Sequence, residues 1–168
     1  MRIFFFLLLG TVSISVLSQE DTSYQEKYEQ AYQQRINQTH INGFYIPKDV
    51  EDAMNELDRI VDGHGKLRFK AQEEGTAVRK IHFSFGRWMI HNWGFYEGSR
   101  LSDNLKGLGI TYPDDMASTL MSCYHRRLND KPLELEALAE FYAEKRRKEV
   151  EERLKQGRIL EVNKVEKN

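Results

Sequence analysis

Cysteine is almost absent from the sequence: Cys123 is the only one among 168 residues, which excludes an internal disulfide. The fold must therefore be stabilised by side-chain packing. Cys123 lies on a predicted apolar helical stripe, which favours a buried small hydrophobe over a catalytic thiol. A thiol nucleophile would need a nearby base, and His125 points in a different direction from the same predicted helix.

Charge of one sign is not in excess either, because 25 basic residues face 26 acidic ones and the formal net charge is -1. A chain without a global basic field has no long-range attraction for nucleic acid or anionic lipid. The basic run at residues 145–148 is followed immediately by acids, which is typical of a solvated helix face. We therefore expect no nucleic-acid partner.

Long apolar runs are missing beyond the beginning of the chain, so no later segment reaches the roughly 20 residues that a membrane-spanning helix requires. At the beginning, Arg2 precedes an apolar stretch, and the small residues Val16 and Ser18 precede a polar one. This order predicts a signal peptide over residues 1–18, cleaved before Gln19; an uncleaved membrane anchor is the alternative. We expect an exported protein, periplasmic or secreted, with no membrane span after signal removal.

The chain is rich in apolar side chains at helical spacing. Tyr24, Tyr28, Tyr32 and Ile36 recur every four residues, which predicts a helix over residues 22–42 with one docking stripe. After this helix, an Asn-Gly pair predicts a turn.

Prolines and glycines mark the next predicted helix boundaries. Pro47, Pro113 and Pro132 are each expected at or near the first position of a helix, where the missing N–H had no partner. Gly63 and Gly65 are expected to end the helix that Pro47 begins. Residues 64–75 are compatible with either a short strand or a turn of helix.

Residues 76–93 are predicted to form the central helix, because large apolar side chains cover most of its circumference. Gly86 interrupts this run, and close approach by another helix would compensate for its low helix propensity. Gly94 is a suitable stop signal.

Together these patterns predict an all-α fold: a compact orthogonal bundle of about five helices with a long charged C-terminal helix. We divide the chain into a signal peptide (1–18), an N-terminal helix (19–43), a helical domain (44–143) and a charged helical extension (144–168). No internal repeat is found.

Two stretches of the predicted helical domain carry a resemblance. The first contains YIPKDVEDA at residues 45–53, and the second contains HFSFG at 82–86, NWG at 92–94, GSRL at 98–101, YPDDM at 112–116 and YHR at 124–126. Together they resemble an uncharacterised bacterial family that is known only as a domain of unknown function. The resemblance covers roughly residues 44–143. It implies a compact helical domain of bacterial origin and brings no activity, cofactor or catalytic residue.

A loop rich in aromatic residues and glycines is the first candidate site. Its side chains Trp93, Phe95, Tyr96 and Arg100 are predicted to form a recognition surface. Alternatively, Arg100 is buried against one of the acids that begin the helix after Pro113, and locks the loop in place.

A polar cluster is the second candidate site, and it consists of His82, His91, Asn92, Asp114, Asp115 and His125. On a continuous helix, His82 and His91 lie about 180° apart and do not chelate one metal. We therefore expect no metal ion and no cofactor. The two aspartates fit a glycan hydrolase with paired carboxylates, or simply stabilise a helix N-terminus.

The sequence leaves three functional hypotheses open. The first is a non-catalytic interaction module of the bacterial cell envelope, which binds an unknown protein or envelope component. The second is a hydrolase that uses carboxylates or histidines near residues 82–125. The third is an immunity-like protein that binds a toxin.

Overall fold

Eight α-helices, one π-helical turn and a two-stranded hairpin make up the described part of the chain. The computed structural model describes the backbone of residues 16–165 and the side chains of residues 24–157. The helices are α1 (Val16–Ile36), α2 (Val50–Ile60), α3 (Gly63–Lys70), α4 (Glu74–Ile81), α5 (Arg87–Asn92), α6 (Arg100–Gly107), α7 (Pro113–Leu128) and α8 (Leu135–Val165), and the π turn is His82–Gly86. The predicted all-α fold with a long C-terminal helix is confirmed, with more and shorter helices than the five expected.

The predicted signal peptide falls almost entirely outside the described residues, which begin at residue 16. Helix α1 ends at Ile36 and not at residue 42, because a hairpin follows it. Strands β1 (His40–Ile41) and β2 (Phe44–Tyr45) pair antiparallel. Their connection is the predicted Asn-Gly turn, with positive φ angles of 50° and 82°, as a tight two-residue hairpin requires.

Capping side chains, more than prolines, decide where the helices begin. Helix α2 begins after Asp49, whose carboxylate accepts from the Asp52 N–H at 2.8 Å, so Pro47 lies ahead of the helix. Asp62 caps α3 in the same way, so Gly63 begins a helix and does not end one. Of the three prolines, Pro113 takes a first helical position.

The predicted helix over residues 76–93 is divided into α4, the π turn and α5. A Cβ atom on Gly86 would lie 3.1 Å from the Met121 Cε atom of α7, so the expected close approach of another helix is confirmed. The segment is not the centre of the fold, however. Helix α7 packs against α2 to α6, the π turn and α8, and ten of its residues are buried.

The two terminal helices are attached through a few contacts. In α1, Tyr32 donates to Asp103 Oδ1 at 2.8 Å, whereas Tyr24 and Tyr28 are 73% and 55% exposed. The predicted docking stripe is thus covered only in its second half.

No helix in the described part is both long and apolar enough to cross a membrane.

Candidate functional site

Three recesses surround the π turn, and its consecutive side chains contribute to all of them. Single π turns within α-helices occur frequently at functional sites. His82 and Phe83 line the first recess, which we name the histidine cleft. Ser84 lines the second, which we name the aromatic cleft, and Phe85 lines the third, the apolar cavity. The three volumes are about 310, 480 and 430 Å³ respectively. This segment therefore presents different chemistry on different sides.

The aromatic cleft lies between Trp88 of α5 and the loop that follows this helix. It is lined by Ser84, Arg87, Trp88, Ile90, His91, Asn92, Tyr96 and Asp114. Tyr96 is 64% exposed, and both Arg87 and His91 are exposed. Amphipathic aromatic rings beside charged and amide groups are suited to contacts with a partner that is partly apolar and partly polar.

Trp88 is held in place by three other rings. It stacks on Phe85 with a centroid distance of 5.6 Å and an interplanar angle of 6°. Phe44 of the hairpin and Trp93 meet it in T-shaped contacts at 5.9 and 5.8 Å. The indole is therefore pre-organised at the edge of the cleft, so binding would not have to order it.

The loop predicted as a recognition surface divides between core and cleft. Trp93 and Phe95 are only 1% and 2% exposed, so they are packing residues and offer no surface. Gly94 has a φ of 64°, a left-handed conformation that turns the chain back on itself and lets both rings enter the core. Of the four predicted side chains, Tyr96 is the one that lines the cleft.

Arg100 has a structural contact that neither sequence interpretation anticipated. Its Nε atom donates to the Ile46 carbonyl at 2.7 Å, and its guanidinium lies 5.2 Å from the centroid of the Tyr45 ring. It is half-buried and does not meet Asp114 or Asp115. Arg100 therefore attaches α6 to the hairpin side of the domain and is not part of the cleft.

Three of the predicted polar residues gather around Asp114. His91, Asn92 and Asp114 line the aromatic cleft. The His82 Nε2 atom lies 3.2 Å from Asp114 Oδ1, and its Nδ1 atom lies 3.2 Å from the hydroxyl of Ser118. Asp114 thus borders both clefts, with one histidine on either side.

The π turn explains why both histidines line clefts that Asp114 borders. A π turn closes over i→i+5, so it takes up one more residue than an α-helical turn and rotates the following helix back by about 100°. The 180° expected between His82 and His91 on a continuous helix becomes about 80°. Among the described residues, however, no group of three or more His, Cys, Asp or Glu is placed to hold a metal ion.

Of the other two members of the polar cluster, Asp115 also lines the histidine cleft, whereas His125 lies outside both clefts. Asp115 is 2% exposed and accepts from Arg146 of α8 at 2.6 and 2.7 Å. His125 is 3% exposed, and its Nε2 atom donates to the Gln72 carbonyl at 2.9 Å. Asp115 is thus ion-paired and buried, whereas Asp114 is exposed, so the two carboxylates of the histidine cleft have different surroundings.

Two residues that matter here are not among the predicted site residues. Ser118 is one of them, and its position four residues after Asp114, on the same face of α7, is the signal that could have indicated it. Arg146 belongs to a basic run interpreted as a solvated face, yet it holds the buried Asp115. Cys123 is fully buried, and this burial raises the pKa of its thiol to about 12, which excludes a reactive thiolate near neutral pH.

The geometry defines a small helical domain with two surface clefts and one apolar cavity. Residues 46–128 match the protein family described as Domain of unknown function (DUF6794). The predicted resemblance to an uncharacterised domain family is confirmed, and the matched range contains the whole lining of the aromatic cleft and the apolar cavity. The chain matches no curated protein and no solved structure.

Proposed function

We propose that this is an exported bacterial protein that acts as a non-catalytic interaction module of the cell envelope, and that the aromatic cleft binds a segment of a partner protein. The observation that carries the proposal is the juxtaposition of Arg87, Trp88 and Tyr96 in one cleft. Tryptophan, tyrosine and arginine are the residue types most enriched among those that dominate protein interfaces.

The cleft also has suitable dimensions and polarity. Its volume of about 480 Å³ falls in the range typical of binding pockets, roughly 300–1,000 Å³. A cation at Arg87 and an anion at Asp114 provide directional contacts for a polar chain, while Trp88 and Tyr96 contribute apolar area. The stacked support of Trp88 lowers the entropic cost of binding.

The proposal of export rests on the order of residues at the beginning of the chain, where a charged residue is followed by an apolar stretch and then by small residues. It is tested by recovering the protein from the native host and determining its N-terminal residue. We expect Gln19 at the N-terminus of protein from the periplasmic or extracellular fraction. Material that retains Met1 and fractionates with the cytoplasm would overturn this part of the proposal.

The partner is sought by placing a photo-crosslinking amino acid at position 96 in the native host. The matched control position is 141, because Phe141 is a similarly exposed aromatic residue on α8, outside the cleft. We expect one adduct at position 96 that is absent at position 141 and is lost with Arg87→Ala. Equal adducts at both positions would refute the cleft as the binding surface. A captured toxin would identify the immunity-like alternative.

A hydrolase is the second candidate, and one observation favours it. Ser118, His82 and Asp114 form a chain of side chains with both steps at 3.2 Å, which is the relative order of a nucleophile, a base and an orienting acid. The test is labelling of the full chain by a fluorophosphonate probe. A hydrolase predicts labelling that disappears in both Ser118→Ala and His82→Gln, while no labelling excludes a serine nucleophile.

A further inference from the structure

The apolar cavity is a third recess, distinct from both clefts, with a volume of about 430 Å³. It lies among α2, α3, α4, the π turn and α7. Most of its wall is apolar, and the principal side chains are Leu57, Ile60, Phe69, Ile81, Phe85 and Met121. Leu57 and Met121 are at most 1% exposed, so the cavity reaches the core of the domain.

The interior of the cavity presents hydrocarbon and almost no free polar groups. The one hydroxyl of its deep wall belongs to Tyr124, and it already donates to Asp58 Oδ1 at 3.2 Å. The ring of Tyr124 is stacked against Phe69 with a centroid distance of 6.2 Å. An occupant of this space would therefore gain mainly from the removal of apolar surface from water.

The mouth of the cavity carries an excess of positive charge. Arg68 of α3 and Lys80 of α4 line it and are exposed, and Asp62 is the single acid of the lining. The Asp62 carboxylate accepts from the Gly65 N–H at 2.7 Å as the cap of α3. Among residues 24–157, neither cation has an acidic partner within 4.0 Å. Lys80 reaches only the Gln72 amide oxygen, at 3.4 Å.

We propose that this cavity binds a single-chain amphiphile with an anionic head, namely a fatty acid. The acyl chain occupies the apolar interior, and the carboxylate lies at the mouth between Arg68 and Lys80. Both cations donate charge-assisted hydrogen bonds to carboxylates, and an arginine does so with a planar pair of N–H groups. The proposal is independent of the partner proposed for the aromatic cleft.

The head group is tested by calorimetric titration of the full chain with decanoate, decanol and decyltrimethylammonium, each below its aggregation concentration. We expect saturable binding of one decanoate, weaker binding of the neutral alcohol and no binding of the cation. Octanoate is expected to bind about fifteenfold more weakly than decanoate, since it lacks two methylenes and each buried methylene contributes about fourfold in affinity. Absence of saturable binding, or equal affinity for all three head groups, would overturn the proposal.

Substitutions at the mouth separate charge recognition from nonspecific adsorption. Arg68→Gln and Lys80→Gln are each expected to weaken decanoate severalfold and to leave decanol unchanged. Lys70→Gln is the matched control, because Lys70 is an exposed cation of α3 outside the lining. If all three variants bind decanoate like the original chain, the head group is not where we place it and the proposal fails.

Filling the interior provides an independent measurement. Ile60 is half-buried in the cavity wall, so Ile60→Phe is expected to occupy part of the space and abolish binding of decanoate and decanol together. Far-UV circular dichroism reports whether the variant keeps its helices. Unchanged affinity in a folded Ile60→Phe variant would contradict an acyl chain in this cavity, and the head-group variants decide the question if Ile60→Phe unfolds.

Discussion

The ion pair between Arg146 and Asp115 provides the sharpest test of how α8 is attached. The side chain of Asp115 is 3% exposed, whereas that of Arg146 is 24% exposed and also reaches Glu149 at 2.8 Å. Removing the guanidinium therefore leaves a buried carboxylate, while removing the carboxylate leaves a cation that still has water and an acid. The two substitutions should not have equal effects.

We expect Arg146→Gln to lower the free energy of unfolding by about 3 kcal/mol, at the lower end of the range for breaking a buried pair. The lower end applies because Lys145 remains 3.5 Å from Asp115 Oδ1 and partly compensates. At roughly 2–4 °C per kcal/mol, the melting temperature would fall by roughly 10 °C. Asp115→Asn should lose only about 1–2 kcal/mol, because its amide can still accept from Arg146.

Urea denaturation at pH 7, followed by far-UV circular dichroism, measures both values. Arg147→Gln is the matched control: Arg147 is the next residue, its side chain is 69% exposed and its acidic partner is Glu144. A change within ~0.5 kcal/mol is expected there. If Arg146→Gln is no more destabilising than Asp115→Asn or than the control, the assignment of Asp115 as a buried, arginine-dependent carboxylate is refuted.

Gly98→Ala should destabilise the fold by roughly 2–3 kcal/mol in the same assay, because φ at this position is 97° and a Cβ atom would lie 2.4 Å from the Tyr32 ring. The control is Gly107→Ala, whose Cβ atom meets no atom within 4 Å, so this variant should be neutral or slightly stabilising. Equal effects of the two substitutions would contradict the packing of Tyr32 on Gly98. Burial would raise the pKa of Asp52, but hydrogen bonds from the Lys48 N–H and the Tyr45 hydroxyl outweigh it and lower that pKa below 3.8. The resulting stabilisation is present above pH 3.8 and is lost as the pH falls through the folded-state pKa, so the deficit of Asp52→Asn should shrink in acid; a constant deficit would contradict this. Cys123 should resist iodoacetamide at pH 8 until the chain is unfolded in urea, since burial raises its thiol pKa to about 12; rapid modification of the folded chain would contradict its burial.

Much of the helical content was predictable because it depends on local patterns. Helix α7 begins with a proline at a first helical position and keeps an apolar stripe, and both signals act within one or two turns. The Asn-Gly turn and the glycine stop after Trp93 are equally local. Boundaries that depend on capping were less predictable: Asp62 begins α3 just where two glycines suggested an end.

The candidate site was harder to predict, because burial depends on contacts that are distant in sequence. Trp93, Phe95 and Tyr96 are equally attractive as recognition residues from the sequence, yet only Tyr96 is exposed. The difference arises from the backbone turn at Gly94, which directs the first two rings into the core. Likewise, the buried carboxylate of Asp115 is paired with Arg146, 31 residues further along the chain.

The π turn accounts for the largest gap between sequence and site. A helical wheel with a constant 100° per residue assigns every side chain of residues 76–93 to one pattern, and this pattern fails once an extra residue is taken up. His82 and His91 then line the two clefts that Asp114 borders. Phe85 therefore lines the apolar cavity and also supports Trp88 at the edge of the aromatic cleft.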